Sequence, residues 1–256
     1  MIDIKQNTIY LAENLEVLAR LPDSSIQLVY IDPPFNTGKV QARTRIQTQA
    51  DESGDRVGFG GKRYRTTKLG TQKYSDSFDD FIGFLEPRLV ELWRVLDSTG
   101  SLFLHLDARE VHYAKVAMDE LFGRDHFINE IIWSYDYGGR PKDRWPNKHD
   151  NILWYVKDPE NYIFNYDEID RIPYMAPGLV GAEKAERGKT PTDVWWNTIV
   201  PTNSRERTGY PTQKPLSVMN RIIRVHSNAG DVVLDCFAGS GTTGEAAARN
   251  GRSYIL

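Results

Sequence analysis

The sequence predicts an α/β fold, a mainly parallel sheet with helices on both faces, and three observations carry that prediction. Compact apolar runs suited to strands buried on both sides recur at residues 26–31, 101–106 and 231–235. Stretches with helical spacing separate them, at 78–96, 108–122 and 215–226. A glycine-rich turn at 237–244 then joins a strand to a helix near the end of the sequence. Strands alternating with helices pack as such a sandwich, and its ligands sit off the carboxyl ends of the strands.

Taken in order, residues 8–13 suit a strand and 14–21 a short helix. The run Ile26-Gln-Leu-Val-Tyr-Ile31 must stop at Asp32-Pro33-Pro34, because neither proline can donate to a ladder. Residues 36–77 hold many Gly, Thr, Gln and charged residues with no helical period, and are expected to form a basic insert loop. An amphipathic helix follows at 78–96, then the strand 101–106. Asp107 is placed to cap a helix over 108–122, with Gly123 just past its end. Strands are expected at 128–135 and 151–156, joined by a polar loop at 136–150 rich in Gly, Arg and Lys. Residues 158–210 are irregular and hold Trp195-Trp196, which core packing suits better than DNA contact. Pro215 fits the first turn of a helix running to about His226. The strand 231–235, a helix over about 242–250 and the start of another strand at 253–256 complete the order.

With 256 residues, 40% hydrophobic and 26% charged, the chain has the profile of one good-sized globular domain, read here as 1–256. No apolar run approaches the roughly 20 residues of a membrane span. The start lacks the layout of a signal peptide, so a cytoplasmic location is expected. The single cysteine, Cys236, excludes an intrachain disulfide and a multi-cysteine zinc site. Histidines 105, 112, 126, 149 and 226 show no ligand spacing, and no metal is expected. The net charge of -3 hides a basic segment: residues 39–73 hold nine Lys or Arg against three acids. Clustering of this kind makes an electrostatic footprint for phosphates, although charge alone equally suits a solvated loop.

Two motifs carry chemistry. Gly239, Gly241 and Gly244 form a literal G-x-G-x-x-G between a strand and a helix, where glycine lets the backbone turn tightly and approach a ligand. A dinucleotide site expects a ribose-binding acid about 20 residues on, and only 15 residues follow Gly241. Asp32-Pro33-Pro34-Phe35 ends a buried strand at the edge where ligands bind. Asp32 supplies an acceptor, the Pro33 carbonyl a second, and Phe35 a flat surface for a planar ring. Two acceptors can hold both hydrogens of an exocyclic amino group and favour pyramidal nitrogen, whose lone pair then attacks an electrophilic methyl group. Alone, the tetrapeptide also suits a rigid turn capped by Asp.

Together, Val29-Tyr-Ile-Asp-Pro-Pro-Phe35 and Leu234-Asp-Cys-Phe-Ala-Gly-Ser-Gly-Thr-Thr243 resemble the amino-group DNA methyltransferases that use S-adenosylmethionine. The catalytic motif comes first and the cofactor motif last, which resembles their permuted beta arrangement. Glu206-Arg-Thr-Gly-Tyr-Pro-Thr-Gln-Lys-Pro215, Ser101-Leu-Phe-Leu-His-Leu-Asp107 and Phe164-Asn-Tyr-Asp-Glu168 resemble further segments of that family. The resemblance implies a Rossmann-like methyltransferase sheet in circularly permuted order. It also implies an acidic residue and more strands after the last one seen here, so C-terminal strands are expected to be missing.

By that resemblance Asp32 and the Pro33 carbonyl bind the target amino group, with Pro34 stiffening the turn and Phe35 stacking on the base. Asp235, Phe237, Ala238, Gly239, Ser240, Gly241 and Thr242 line the S-adenosylmethionine site, with Thr212 and Lys214 near its carboxylate. The expected partner is double-stranded DNA, whose target base leaves the helix at the expense of a few kcal/mol of stacking. Lys39, Arg43, Arg45, Lys62, Arg63 and Arg65, with Arg140, Lys142 and Arg144 on the second loop, are the candidate phosphate contacts. Residues 158–210 fall where the family places target recognition. A homodimer and a cognate restriction endonuclease are compatible with the family.

Asp at the first motif position is the commoner choice for adenine N6 in this family, and Ser for cytosine N4. Adenine is therefore the leading target and cytosine N4 the alternative. Attack through cytosine carbon 5 needs a cysteine in a Pro-Cys context that the sequence lacks, and Cys236 reads as a small buried hydrophobe. A catalytically silent DNA-binding relic of the fold is the reading from another class.

Overall fold

The computed structural model describes residues 7–54, 56–57 and 63–256. The helices are α1 (Asn14–Leu18), α2 (Phe81–Val95), α3 (Val111–Phe122), α4 (Ala182–Arg187), α5 (Leu216–His226) and α6 (Thr242–Arg249). The strands are β1 (Ile26–Ile31), β2 (Lys39–Ala50), β3 (Arg56–Val57), β4 (Arg63–Asp76), β5 (Leu96–Leu106), β6 (Phe127–Ser134), β7 (His149–Val156), β8 (Val194–Trp196), β9 (Val232–Leu234) and β10 (Ser253–Ile255).

Seven strands form one sheet in the order β10-β9-β1-β5-β7-β6-β8. The first four run parallel, β7 runs against both its neighbours, and β8 is parallel to β6. β1 alternates its side chains between two cores, as period two dictates. Val29 and Ile31 join Leu85, Leu89, Ala114 and Met118 of α2 and α3 on one face. Leu28 and Tyr30 join Met219, Ile222 and Ala246 of α5 and α6 on the other. Helices thus cover both faces, which is why the strands read as continuous apolar runs.

Three expectations are corrected. Residues 36–77 do not form a loop. β2 and β4 pair antiparallel from Lys39↔Asp76 to Ala50↔Tyr64, and β3 adds a short third strand. The signal was present, since Lys39 to Ala50 alternates long polar with small or β-branched residues. Residues 8–13 contribute a single bridge, Thr8↔Ile255, rather than a strand. Asn7 N–H and Tyr10 N–H donate to the carbonyls of Tyr254 and Leu256, so this segment lies along the outer edge of β10. Asp107 accepts from Arg109 N–H, and the N-cap of α3 is Glu110.

The position of the site follows from the topology. From β1 the chain passes through α2 to β5 on one side, and from β9 through α6 to β10 on the other. The strand order reverses between β1 and β9, and a crevice opens at their carboxyl ends. Val29 pairs with Leu234, so Asp32 and Asp235 emerge at the same edge.

Candidate active site

One cavity of about 440 Å³ lies at this edge. Asp32, Pro33, Pro34 and Phe35 line it from the end of β1, and Asp235, Phe237, Ala238, Gly239, Ser240 and Thr242 from the end of β9. Thr212 and Lys214 enter from the segment before α5. All three expected sources therefore meet in one place. Gly241 is the N-cap of α6, immediately behind the lining residues.

The glycines act for different reasons. Gly239 and Gly241 have φ of +52° and +80°, in the left-handed region that side chains disfavour. Gly241 N–H closes the turn onto the Ala238 carbonyl at 2.7 Å. Gly244 is an ordinary helical residue, but a Cβ there would stand 2.6 Å from Leu256 Cδ1, so it lets α6 approach β10.

Asp235 is buried, and both its oxygens are held. Oδ1 accepts from Phe237 N–H at 2.9 Å and Oδ2 from the Thr243 hydroxyl at 2.6 Å. Burial nonetheless pushes its carboxyl up to about 7, with the nearby Asp32 charge adding to the shift. Asp235 thus fixes the glycine turn from within the protein.

Asp32 is held on one side only. Its Oδ2 accepts from Lys214 Nζ, while Oδ1 is buried without a partner among the described residues. Lys214 reaches it from a braced segment. Gln213 Nε2 donates to the Glu206 carbonyl at 2.7 Å, and Glu206 Oε2 accepts from Leu216 N–H at the start of α5. The Lys214 ammonium also lies 5.1 Å from the Phe35 ring centre.

Behind Phe35 runs a buried polar chain that the sequence did not reveal. Its ring lies 5.9 Å from that of His105, whose Nδ1 is 2.7 Å from the Tyr30 hydroxyl. His105 Nε2 is 3.3 Å from Asp150 Oδ2, and the Tyr135 hydroxyl donates to Asp150 Oδ1 at 3.1 Å. Burial would raise the Asp150 carboxyl, but His105, Lys214 and the Tyr135 hydrogen bond together outweigh it and hold the group low. These partners come from adjacent strands, and no spacing along the chain announces them.

Asp76 was also missed. It ends β4, lines the cavity, and is 3% exposed. The Thr37 hydroxyl donates to its Oδ2 at 2.5 Å, while its Oδ1 is buried without a partner among the described residues.

Lys39, Arg43 and Arg45 lie on β2, and Lys62 falls outside the described residues. Arg63 and Arg65 are exposed on β4, the latter paired with Asp51 at 2.8 Å. Arg140, Lys142 and Arg144 are exposed on the loop after β6, with Arg140 on Asp136 at 2.5 Å and Arg144 on Asp143 at 2.8 Å. Trp195 is buried and Trp196 is 72% exposed, so one of the pair packs in the core as expected and the other does not. Burial pushes the Cys236 thiol up, away from a nucleophilic thiolate. No helix of the described residues is long and apolar enough to cross a membrane.

Residues 26–256 match a family model for N6/N4 methyltransferases, described as DNA methylase. The chain belongs to this family. Its members transfer a methyl group from S-adenosylmethionine to an amino nitrogen of a base. One relative is the DNA adenine methyltransferase YhdJ of Escherichia coli K12, 30% identical over 97% of this chain and 76% of its own length. The chain spans 62 to 76% of the length of five such curated relatives, four of them type II methyltransferases. Among solved structures, the cytosine-N4-specific PvuII DNA methyltransferase has the same fold, with a TM-score of 0.66 at 16% identity over 98% of this chain and 81% of that one. TTHA0409 of Thermus thermophilus, solved with S-adenosyl-L-methionine, gives 0.57 at 22% identity over 97% and 86%.

The cavity fits the family's cofactor on its own terms. Its backbone cradle runs through Gly239 and Ser240, with a Cβ at Gly239 standing 3.4 Å from the Tyr210 ring and Gly241 turning the chain just behind. A carboxylate with an unmet acceptor and an ammonium stand side by side to receive a zwitterion and a donor nitrogen.

Proposed function

We propose that the chain is a DNA methyltransferase acting on the N6 amino group of adenine in duplex DNA, after the base has left the stack. The observation that carries this reading is the single cavity shared by the Asp32–Phe35 turn and the 235–243 turn. Asp32 Oδ1 and the Pro33 carbonyl accept the two amino hydrogens, and Phe35 stacks on the base. Lys214 holds Asp32 through its other oxygen, so the carboxylate keeps one fixed rotamer. S-adenosylmethionine, when bound, supplies a methyl group activated by its sulfonium. Asp235, Phe237, Ala238, Gly239, Ser240, Gly241 and Thr242 hold it, with Lys214 and Thr212 toward its carboxylate. The amino nitrogen would displace the methyl carbon from sulfur, whose bond electrons leave with a neutral thioether, while Asp32 Oδ1 takes the amino proton, so that no positive charge is left on nitrogen.

Adenine rests on Asp at the first motif position and on the relative that carries an adenine name. Cytosine N4 is the second reading, favoured by the specificity of the PvuII enzyme. Residues 1–256 act in this proposal as one catalytic unit, with 158–210 contributing to target recognition. The basic ribbon and the 136–150 loop grip phosphates on either side. The type II relatives make a cognate restriction endonuclease a proposed partner, and a second copy of the chain another. Sedimentation with and without duplex DNA tests the second copy.

Unmethylated genomic DNA, labelled S-adenosylmethionine and mass spectrometry of the digested nucleosides decide between the readings. N6-methyl-2′-deoxyadenosine supports the first and N4-methyl-2′-deoxycytidine the second. DNA binding without any incorporation by a cofactor-binding protein overturns both in favour of a silent relic.

A further inference from the structure

We propose that the β2–β4 ribbon reads target sequence in the DNA major groove, through the face on which Lys39, Gln41, Arg43, Arg45, Gln47 and Gln49 lie. The proposal rests on the reading of this chain as a DNA methyltransferase. β2 alternates these six residues with Val40, Ala42, Thr44, Ile46, Thr48 and Ala50 without a break. Successive residues of a strand fall on opposite faces, so all six long polar residues share one face. The register adds Gln72, opposite Arg43, and Arg65, opposite Gln49, to that face.

The shape suits a groove. Twelve residues of strand extend for about 40 Å, and a two-stranded ribbon is one of the few elements the major groove admits. The register shift between Arg45 and Ile46 adds local twist, which helps a ribbon follow a helical groove. Composition separates reading from gripping. Phosphates ask only for positive charge, which glutamine lacks. Glutamine instead offers a donor and an acceptor together, the pattern that adenine displays in the major groove, while Arg matches guanine. A ribbon that merely gripped phosphates would gain nothing from glutamines at 41, 47, 49 and 72.

The root of the ribbon ties it to the site. Lys39 pairs with Asp76, and Asp76 is bonded to Thr37, two residues beyond Phe35. Thr37 and Asp76 both line the cavity. The reader is therefore anchored where a flipped base enters, which fixes the spacing between the bases read and the base methylated.

The test is binding selection from randomised duplexes, run beside methylation mapping on genomic DNA, for the wild type and for Arg43→Ala, Gln47→Ala and Lys142→Ala. Arg43→Ala and Gln47→Ala are each expected to relax preference at one or two positions of the selected motif, by roughly five- to a hundredfold. Lys142→Ala is expected to keep the motif and weaken all sequences alike. Gln47→Ala changes no charge, so its slope of log affinity against log salt stays at the wild-type value. Unchanged cofactor binding in each variant reports an intact fold. The ribbon proposal is overturned if Arg43→Ala and Gln47→Ala both retain the wild-type motif, or if the wild type selects no motif. A motif that shifts in the variants without any methyl incorporation supports the ribbon and overturns only the methyltransferase reading.

Discussion

Lys214 and Asp32 are 182 residues apart in the chain, yet the ammonium of one is bonded to the carboxylate of the other at the mouth of the site. Asp32→Ala is expected to abolish methyl transfer, and Asp32→Asn to leave little. Each leaves a largely buried Lys214 without its counter-ion, at roughly 3 kcal/mol of stability. Combining Asp32→Asn with Lys214→Met should recover much of that stability and none of the activity. Denaturant midpoints and labelled-methyl incorporation measure the two effects separately. Wild-type activity in Asp32→Ala would end the assignment of Asp32 as acceptor.

Asp235 makes stability depend on pH. Its folded carboxyl lies at about 7, above the unfolded value near 4, because burial disfavours the charge. Between those values the folded protein holds a proton that the unfolded chain has lost. The stability gained from this group is thus complete below about pH 4 and is lost as pH rises through 7, by an amount on the order of a few kcal/mol. Urea unfolding from pH 4.5 to 8 should show this decline in the wild type and a flatter profile in Asp235→Asn. Parallel profiles would refute it.

Gly241→Ala and Gly244→Ala separate backbone strain from packing. The first forces an alanine to φ near +80° with open space around its Cβ, at about 1 kcal/mol. The second meets Leu256 Cδ1 and must push β10 or its leucine aside, at about 1–3 kcal/mol. Calorimetry on the two variants gives the order. Cofactor affinity should fall more in Gly241→Ala, which sits at the turn rather than inside the helix.

Trp195→Ala is expected to lose about 3–5 kcal/mol, since the ring is buried in the core beneath the Arg221 guanidinium. Trp196→Ala should unfold like the wild type and bind duplex DNA more weakly, because its ring is largely exposed at the end of β8, the edge strand of the sheet beside β6. Thermal unfolding and fluorescence titration with duplex distinguish the two.

Legibility followed chain locality. β1, α5 and the glycine turn could be read because each is specified by residues within a dozen positions of one another. Apolar runs, a proline at a helix start and glycines at fixed offsets are such signals. The long ribbon was misread although its alternation is just as local, because a search for helical period in a polar segment passes over period two. The Tyr30–His105–Asp150 chain and Asp76 were invisible for a different reason. Their partners are set by which strands lie side by side, and a single sequence does not state strand order. Asp32 and Asp235 were found only because their own neighbours form recognisable turns.

The pairing of Val29 with Leu234 also governs how the protein is made. The edge of β1 that accepts β9 leaves the ribosome about 205 residues before its partner. At 5–20 residues per second that interval is roughly 10–40 s. Throughout it the nascent chain carries an apolar strand with one side unpaired, the kind of surface that recruits unwanted partners. The Asp32–Phe35 turn is synthesised early, and the cleft it lines closes only when the final tenth of the described chain arrives.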